Sequence, residues 1–363
     1  MDRERLQELA AHTLAKETRL LCQWATGVGK SQVVLKFLKD NPEMDCLILV
    51  PEQNNIENWQ TEFDKFGIPR DKVTIACYAS FHKYSHTKWD LLVFDEAPHM
   101  DTEKRRAICE SVRGEFVLAL GAVIDDDETA ALEHAYGHFY KSYVSLKKAI
   151  EWGILPSPTI YVCHIRLDDK AKEHWYKGHV YTAKEMYDVL QKKVEGAVAA
   201  YNLKSNNFNK QMMYRAGNER KRFLGKIKED VVRSITMALA SQHKRYLCFC
   251  SSIKQAESLS KDHAFTSKTP AKMKLLEKFN NHEIDCLYVV GKLIEGQNLV
   301  DIEHGIITQL GGTSRITVQE VGRIMRSKSP VIWIPVFDGT KDDDFLYTIT
   351  SNIPENYIQH FNY

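Results

Sequence analysis

No stretch of this sequence holds the roughly 18–20 consecutive apolar residues that a bilayer-spanning helix needs. The first residues, Met1-Asp2-Arg3-Glu4, are charged and lack the apolar core of a signal peptide. There is no Cys-x-x-Cys pair, so a zinc knuckle is not expected. There is also no excess of one charge. Lys and Arg number 49 against 48 Asp and Glu, which excludes a globally basic nucleic-acid binder but not a local basic face. No internal repeat of fixed period is present, and the one low-complexity run, residues 205–209, reads as a loop. These absences leave a protein expected to be intracellular, with no membrane partner.

What is present is globular. Of the 363 residues, 44% are hydrophobic and 27% charged, enough apolar mass for about two domains of ordinary size. Most of the eight cysteines lie in apolar runs and read as buried, reduced thiols. Cys248 and Cys250 are expected on one face of a strand. His82/His86 and His134/His138 have helical metal spacing but no third ligand to match, so no protein-only metal site is expected.

Short apolar runs at 20–24, 46–51, 73–77, 90–94, 115–120 and 159–165 alternate with helical periodicity, as at 32–39 and 56–66. Such alternation implies parallel βαβ units covered on both faces. From about 168 to 235 strand signals vanish, and 15 Lys and Arg face 9 Asp and Glu. Alternation returns at 246–250, 284–290, 305–310 and 331–336. The expected division is a first α/β domain at 1–166, a basic helical insert at 167–240 and a second α/β domain at 241–363.

Two constellations carry chemistry. The strand 20–24 runs into Ala25-Thr26-Gly27-Val28-Gly29-Lys30-Ser31 and then a helix. Glycines let successive N–H groups converge on phosphate oxygens, Lys30 can reach the terminal phosphates, and Ser31 can hold Mg2+. The strict pattern has glycine where Trp24 stands here. The strand 90–94 ends in Asp95-Glu96, which suits a carboxylate for the Mg2+ shell (Asp95) beside a group that activates water (Glu96).

With these residues in hand, the chain resembles the superfamily 2 helicases and translocases (DEAD/DEAH-like). Residues 24–31 resemble motif I of the group holding restriction-enzyme motor subunits and phage branch-migration helicases. Asp95-Glu96-Ala97-Pro98-His99 resembles Asp-Glu-x-His, with Pro98 in the fourth place. Residues 47–51, 74–84, 246–259 and 291–299 resemble motifs Ia, Ib, IV and V, and residues 319–326 match Gln-x-x-Gly-Arg-x-x-Arg without a gap. The resemblance implies two RecA-like parallel-sheet lobes of α/β class with a helical insert between them. It implies ATP and Mg2+, held by Gln7, Thr26, Gly27, Val28, Gly29, Lys30, Ser31, Gly296 and Asn298. Ser31 and Asp95 would serve as metal ligands. Lys30, Asp95, Glu96, Gln319, Arg323 and Arg326 would carry the hydrolysis, arginine's planar fork matching charge spread over phosphoryl oxygens. Gln7 stands where the family reads adenine.

It also implies a nucleic-acid strand, DNA ahead of RNA, held by Pro51, Glu52, Gln53, Ser80, Ser251, Ser252 and Lys292. The insert adds Arg215, Arg220, Lys221, Arg222, Lys226 and Lys228, interleaved with Tyr214 and Phe223. The expected enzyme is a monomeric ATP-dependent helicase of the cytoplasm, the host's if the chain is phage-encoded. Two departures bear on coupling. The hydroxyl-bearing motif III is replaced by Leu120-Gly121-Ala122, and motif V has Gly296-Gln297-Asn298 in place of Gly-x-Asp. A translocase that does not separate strands, an RNA helicase and an ATP-gated clamp without turnover therefore stay open.

Overall fold

The computed structural model describes residues 1–100, 103–270, 272–290, 299, 301–310, 321, 322, 324, 325, 327–351 and 353–363. The chain divides into two compact units, the first built on Met1–Ser157 and the second on Pro158–Ile294 and Val300–Tyr363. Among the described residues, no helix is long and apolar enough to cross a membrane, and all eight cysteines are free thiols.

The first unit runs α1 (Arg3–Glu17), β1 (Arg19–Trp24), α2 (Ser31–Asp40), β2 (Cys46–Val50), α3 (Gln53–Phe66), β3 (Val73–Cys77), β4 (Lys88–Phe94), α4 (Glu103–Cys109), β5 (Arg113–Gly121), α5 (Asp126–Tyr136), β6 (Tyr140–Val144) and α6 (Leu146–Glu151). Its six strands lie in the order β3-β2-β4-β5-β1-β6, and every pair is parallel. Helices cover both faces, so β2 is buried along its whole length and residues 91–94 of β4 and 117–120 of β5 have no exposure. Burying one such side chain contributes about 1.5–3 kcal/mol, which is why the strands read as unbroken apolar runs rather than alternating ones. Local chemistry sets the helix ends. Asp2 caps α1 through the Arg5 N–H at 2.8 Å, Asp125 and Glu128 form a reciprocal capping box on α5, and Gly67 ends α3 at φ +63°.

The second unit runs β7 (Thr159–Ile165), β8 (His174–Tyr176), β9 (His179–Tyr181), α7 (Ala183–Leu203), α8 (Asn207–Ile227), α9 (Glu229–Ser241), β10 (Tyr246–Cys250), α10 (Ile253–Leu259), β11 (Ala264–Phe265), α11 (Lys272–Asn280), β12 (Cys286–Val290), β13 (His304–Ile307), β14 (Val331–Phe337), α12 (Lys341–Thr350) and β15 (Ile358–Asn362). Seven strands form an all-parallel sheet in the order β11-β12-β10-β13-β14-β7-β15. Two parallel sheets with covering helices are the α/β architecture expected.

Three details differ from the sequence reading. The strand at 159–165, expected to close the first domain, pairs with β14 and β15 in the second sheet over its full length. The stretch expected to lack strands contains the β8–β9 hairpin, whose three-residue strands are too short to show a period of two. The end of the expected insert is part of the second core, since Val232 and Leu239 of α9 pack with Tyr246, Cys248 and Ile306. What remains of the insert is the antiparallel α7–α8 pair. It buries only the start of α7 and the later half of α8, leaving Leu203, Phe208, Met212 and Tyr214 exposed towards its far end.

One polar cluster ties this pair to the sheet. Lys228, between α8 and α9, is fully buried and donates to Asp342 Oδ2 at 2.6 Å and to Gln309 Oε1 at 2.9 Å. Asp342 Oδ2 also accepts the Phe337 N–H at 3.1 Å. Burial lowers the lysine's pKa while Asp342 opposes the shift. Lys228 therefore cannot hold a nucleic-acid strand, as its place in the basic run suggested. Breaking one half of a buried ion pair strands the other charge, so Lys228→Ala is expected to cost about 3–5 kcal/mol. Lys226→Ala, at an exposed position, should stay within about 0.5 kcal/mol. Urea unfolding of the two variants checks the contrast.

Candidate active site

β1 carries Trp24 as its last residue, with the indole buried and its N–H donating to Ser142 Oγ on β6 at 2.9 Å. The turn therefore begins one residue later than in the strict glycine pattern, and a tryptophan is accommodated. Glycine is needed where φ is positive, at Gly27 (+90°) and Gly29 (+94°). A Cβ on Gly29 would lie 2.3 Å from Gln7 Nε2. Ser31 opens α2, whose first turn no side chain caps. Lys30 Nζ donates to the Trp24 carbonyl at 3.1 Å.

Gln7 is buried beneath this loop. Its Nε2 donates to the carbonyls of Val28 at 3.2 Å and Gly29 at 3.3 Å. The amide nitrogen that the resemblance assigns to adenine is thus committed to the loop itself. The Thr26 hydroxyl is buried with no partner among the described residues. An orphaned donor in a glycine loop is the kind of group a phosphate oxygen would satisfy.

Because every strand is parallel, the loop after β1 and the residues after β4 leave the sheet at the same edge, separated by β5. There Asp95 is held at several points. Its N–H donates to the Leu49 carbonyl at 2.9 Å, its carbonyl accepts from Tyr78 Oη at 2.9 Å, and its Oδ2 accepts from Trp59 Nε1 at 2.9 Å. Burial, then the neighbouring charge of Glu96, raises the Asp95 carboxyl to about 6, while Trp59 and Lys30 pull it down. Glu96 itself adopts φ +48°, a left-handed conformation that non-glycine residues hold at a cost of about 1–3 kcal/mol. Among the described residues, no three His, Cys, Asp or Glu converge into a metal cage. One carboxylate and one hydroxyl suit Mg2+, which completes its shell with water and phosphate. A cation would also relieve the Asp95–Glu96 repulsion, so the donor set fits the metal.

Trp59 is the residue that sequence reasoning missed. A tryptophan four residues before Phe63 on an amphipathic helix reads as core, and it is buried. Only the strand order, which sets β2 and its following helix beside β4, brings its N–H to the carboxylate.

The expected nucleic-acid contacts divide by environment. Pro51, Glu52 and Gln53 sit at the start of α3, the last two exposed, and Ser80 lies partly exposed in the short helical turn after β3. These segments follow β2 and β3 and share the edge of the phosphate loop. In the second unit, Ser252 Oγ caps α10 through the Gln255 N–H at 3.2 Å, and Ser251 Oγ donates to Gln255 Oε1 at 2.9 Å. Arg220 is buried and donates to Gln191 Oε1, which removes it from the expected basic face. Arg215, Arg222, Lys226 and Tyr214 are exposed on α8, while Phe223 is half-buried against the His174 ring. Lys292, Gly296, Asn298, Gln319, Arg323 and Arg326 lie outside the described residues.

The raised Asp95 value sets a pH dependence. Below about 6 the carboxyl takes up its proton and loses the charge that holds Mg2+. Mg2+-dependent nucleotide binding should therefore weaken as pH falls through 6, about tenfold for each further unit. Because metal and proton compete, higher Mg2+ should move the transition to lower pH. Titrations of a fluorescent ATP analogue between pH 5 and 7 check this. A flat profile would contradict it.

No family model matches the chain. A DNA 3'-5' translocase XPB2 from Sulfurisphaera tokodaii is 23% identical over 361 residues, spanning 89% of this chain and 78% of the relative. The helicase domain of Pyrococcus furiosus Hef shares the fold with a TM-score of 0.60 at 14% identity, over 94% of this chain and 97% of that one. A fragment of an HsdR subunit of a type I restriction enzyme from Vibrio vulnificus gives 0.59 at 16% identity, over 99% of this chain and 67% of that one. These likenesses bear out the fold read from the motifs: each of the two units is an all-parallel α/β lobe of RecA-like form, as in the helicase domain of Hef.

Proposed function

We propose that this chain is a nucleic-acid-stimulated ATPase that moves along DNA. The observation that carries the reading is the shared edge of the first sheet. There a glycine loop with an orphaned Thr26 hydroxyl meets a carboxylate pair whose repulsion a divalent cation would relieve. Thr26, Gly27, Val28, Gly29 and Lys30 hold the triphosphate, with Gln7 bracing the loop from below. Ser31 and Asp95 hold Mg2+, which when bound draws charge from the phosphate oxygens. Glu96 orients water and accepts its proton. Lys30 exchanges the Trp24 carbonyl for a phosphate oxygen, a stronger, charge-assisted contact. Gln319, Arg323 and Arg326 keep the role the resemblance gives them, as groups offered to the triphosphate.

DNA is preferred over RNA because the relative is a DNA translocase and motifs I and VI resemble those of DNA motors. Phosphate contacts at residues 51–53 and 80, with Lys292 and the exposed Arg222, are independent of base sequence. Ser251 and Ser252 would contribute through backbone groups, since their hydroxyls are engaged within α10.

One observation favours translocation without strand separation. The end of β5 is apolar and tightly packed, and a Cβ on Gly121 would lie 2.7 Å from Ile124 Cγ1 and 3.4 Å from Pro98 Cδ. It has no hydroxyl with which to pass a signal onward.

Steady-state ATP hydrolysis with and without single-stranded oligonucleotide tests the reading. Turnover should rise severalfold with DNA, and Lys30→Ala should reduce it at least a hundredfold. Hydrolysis that persists in Lys30→Ala would refute the site. Robust unwinding of a fluorescent fork would remove the translocation-only alternative.

A further inference from the structure

One helix of the first unit touches both halves of the nucleotide site. α3 begins at Gln53, directly after the segment offered to a nucleic-acid strand. One face of it carries Trp59, Glu62 and Phe63, at the i, i+3, i+4 spacing that places side chains together. Trp59 Nε1 donates to Asp95 Oδ2 at 2.9 Å. One turn on, Glu62 Oε2 accepts from Gln32 Nε2 at 2.9 Å, and Gln32 follows Ser31 in the first turn of α2. A single helix therefore grips the metal-holding carboxylate with one side chain and the phosphate-loop helix with another.

The other end of α3 is less settled. Glu52 gives it no side-chain cap, Gln53 is exposed, and the Asn55 side-chain oxygen is buried without a partner among the described residues. A buried polar atom left unpaired, as Asn55 Oδ1 is, is the kind of group a further partner would satisfy. From Gln53 to Trp59 is about 9 Å along the axis, a span over which a helix moves as one body. Hydrogen bonds weaken steeply with misalignment, so a small shift of α3 changes how firmly the indole holds Asp95.

We propose that Trp59 is the positioning residue of Asp95 and the link by which a strand bound at the start of α3 reaches the metal-holding carboxylate. This rests on the proposed DNA-stimulated ATPase. It supplies a route that the apolar segment at Leu120, Gly121 and Ala122 cannot. Strand binding seats α3 and the indole N–H fixes one carboxylate oxygen, which would leave the other to serve a metal. Glu62 and Gln32 keep the phosphate loop in register with that movement.

The test compares wild type, Trp59→Phe and Phe63→Leu in the full chain, measuring ATP turnover with and without oligo(dT) across a Mg2+ titration. Phenylalanine keeps the ring and removes the donor. Trp59→Phe should lower the ratio of stimulated to unstimulated turnover at least fivefold and raise the Mg2+ needed for half-maximal rate at least threefold. Phe63→Leu trims the same face without touching the carboxylate. It should lower Tm yet keep the ratio and the Mg2+ midpoint within twofold. A Trp59→Phe protein with wild-type ratio and midpoint, or a Phe63→Leu protein with equal losses, overturns the proposal. A wild type that oligo(dT) does not stimulate overturns the reading beneath it, while the Mg2+ midpoint of Trp59→Phe still decides the hold on Asp95. Should Trp59→Phe not fold, hydrogen exchange on wild type decides. Oligo(dT) is expected to change protection at residues 59–62 as well as 51–55, and a change confined to 51–55 overturns the link.

Discussion

Parallel pairing in the first sheet is the constraint on which the candidate site depends. Six strands that all run one way deliver the ends of β1, β2, β3 and β4 to one edge. The glycine loop, the start of α3, the Ser80 turn and the Asp95-Glu96 pair are thereby neighbours in space although spread over 70 residues of sequence. The constraint is enforced by burial, not by the site. β2 is buried at every position and the central residues of β4 and β5 likewise. A one-residue slip of register would turn apolar side chains from one packed face to the other, and with both faces covered no slipped register can be accommodated. A rigid core thus holds a site made of loops, where backbone conformations are unfavourable in isolation.

Those conformations have a common logic. Gly27 and Gly29 lie at positive φ, and so does Glu96, which is not glycine. Asp95 stays half-buried beside a second carboxylate, and burial and that neighbour together raise its pKa. The glycines hold their φ without strain, whereas the Glu96 backbone and the crowded carboxylates each raise the free energy of the unliganded protein, and a bound cation would relieve the second. The compensating contacts come from outside the loops. Trp59 and Tyr78 hold Asp95, and Gln7 holds the carbonyls of Val28 and Gly29. A site kept open for a highly charged ligand needs such donors, because its own groups repel one another when the ligand is absent.

How much of this was legible in the sequence depends on the range of the interaction. The run Cys46-Leu47-Ile48-Leu49-Val50 and the turn Gly27-Val28-Gly29-Lys30-Ser31 are local signals, and both elements stand where they were read. The β7 strand at 159–165 was also legible, but not its sheet, because its partner β14 begins 172 residues later. Arg220, Arg222, Lys226 and Lys228 look alike in a basic run. Helical geometry turns Arg220 and Lys228 inward and leaves Arg222 and Lys226 in water. The inward pair is satisfied by Gln191, and by Asp342 with Gln309, none of them marked by local pattern. Trp59 had no signal at all, because a buried indole in a helix is ordinarily packing, and its donor gains meaning only from the strand order.

The end of β5 shows how a departure from a family pattern can be read physically. Hydroxyls at this position would give the chain end polar groups to exchange between partners. Leu120 and Ala122 are instead buried, and Gly121 lies so near Ile124 that any side chain there would collide. Close packing of this kind has one arrangement, not two, and transmits rigidity more readily than a switch. Pro98 borders the same spot, since a Cβ on Gly121 would lie 3.4 Å from its Cδ. A close-packed spot of this kind leaves the responsive hydrogen bonds elsewhere. On this edge they converge on Asp95 from α3 and from the turn after β3, the two elements whose exposed ends face a nucleic-acid strand in the proposed reading.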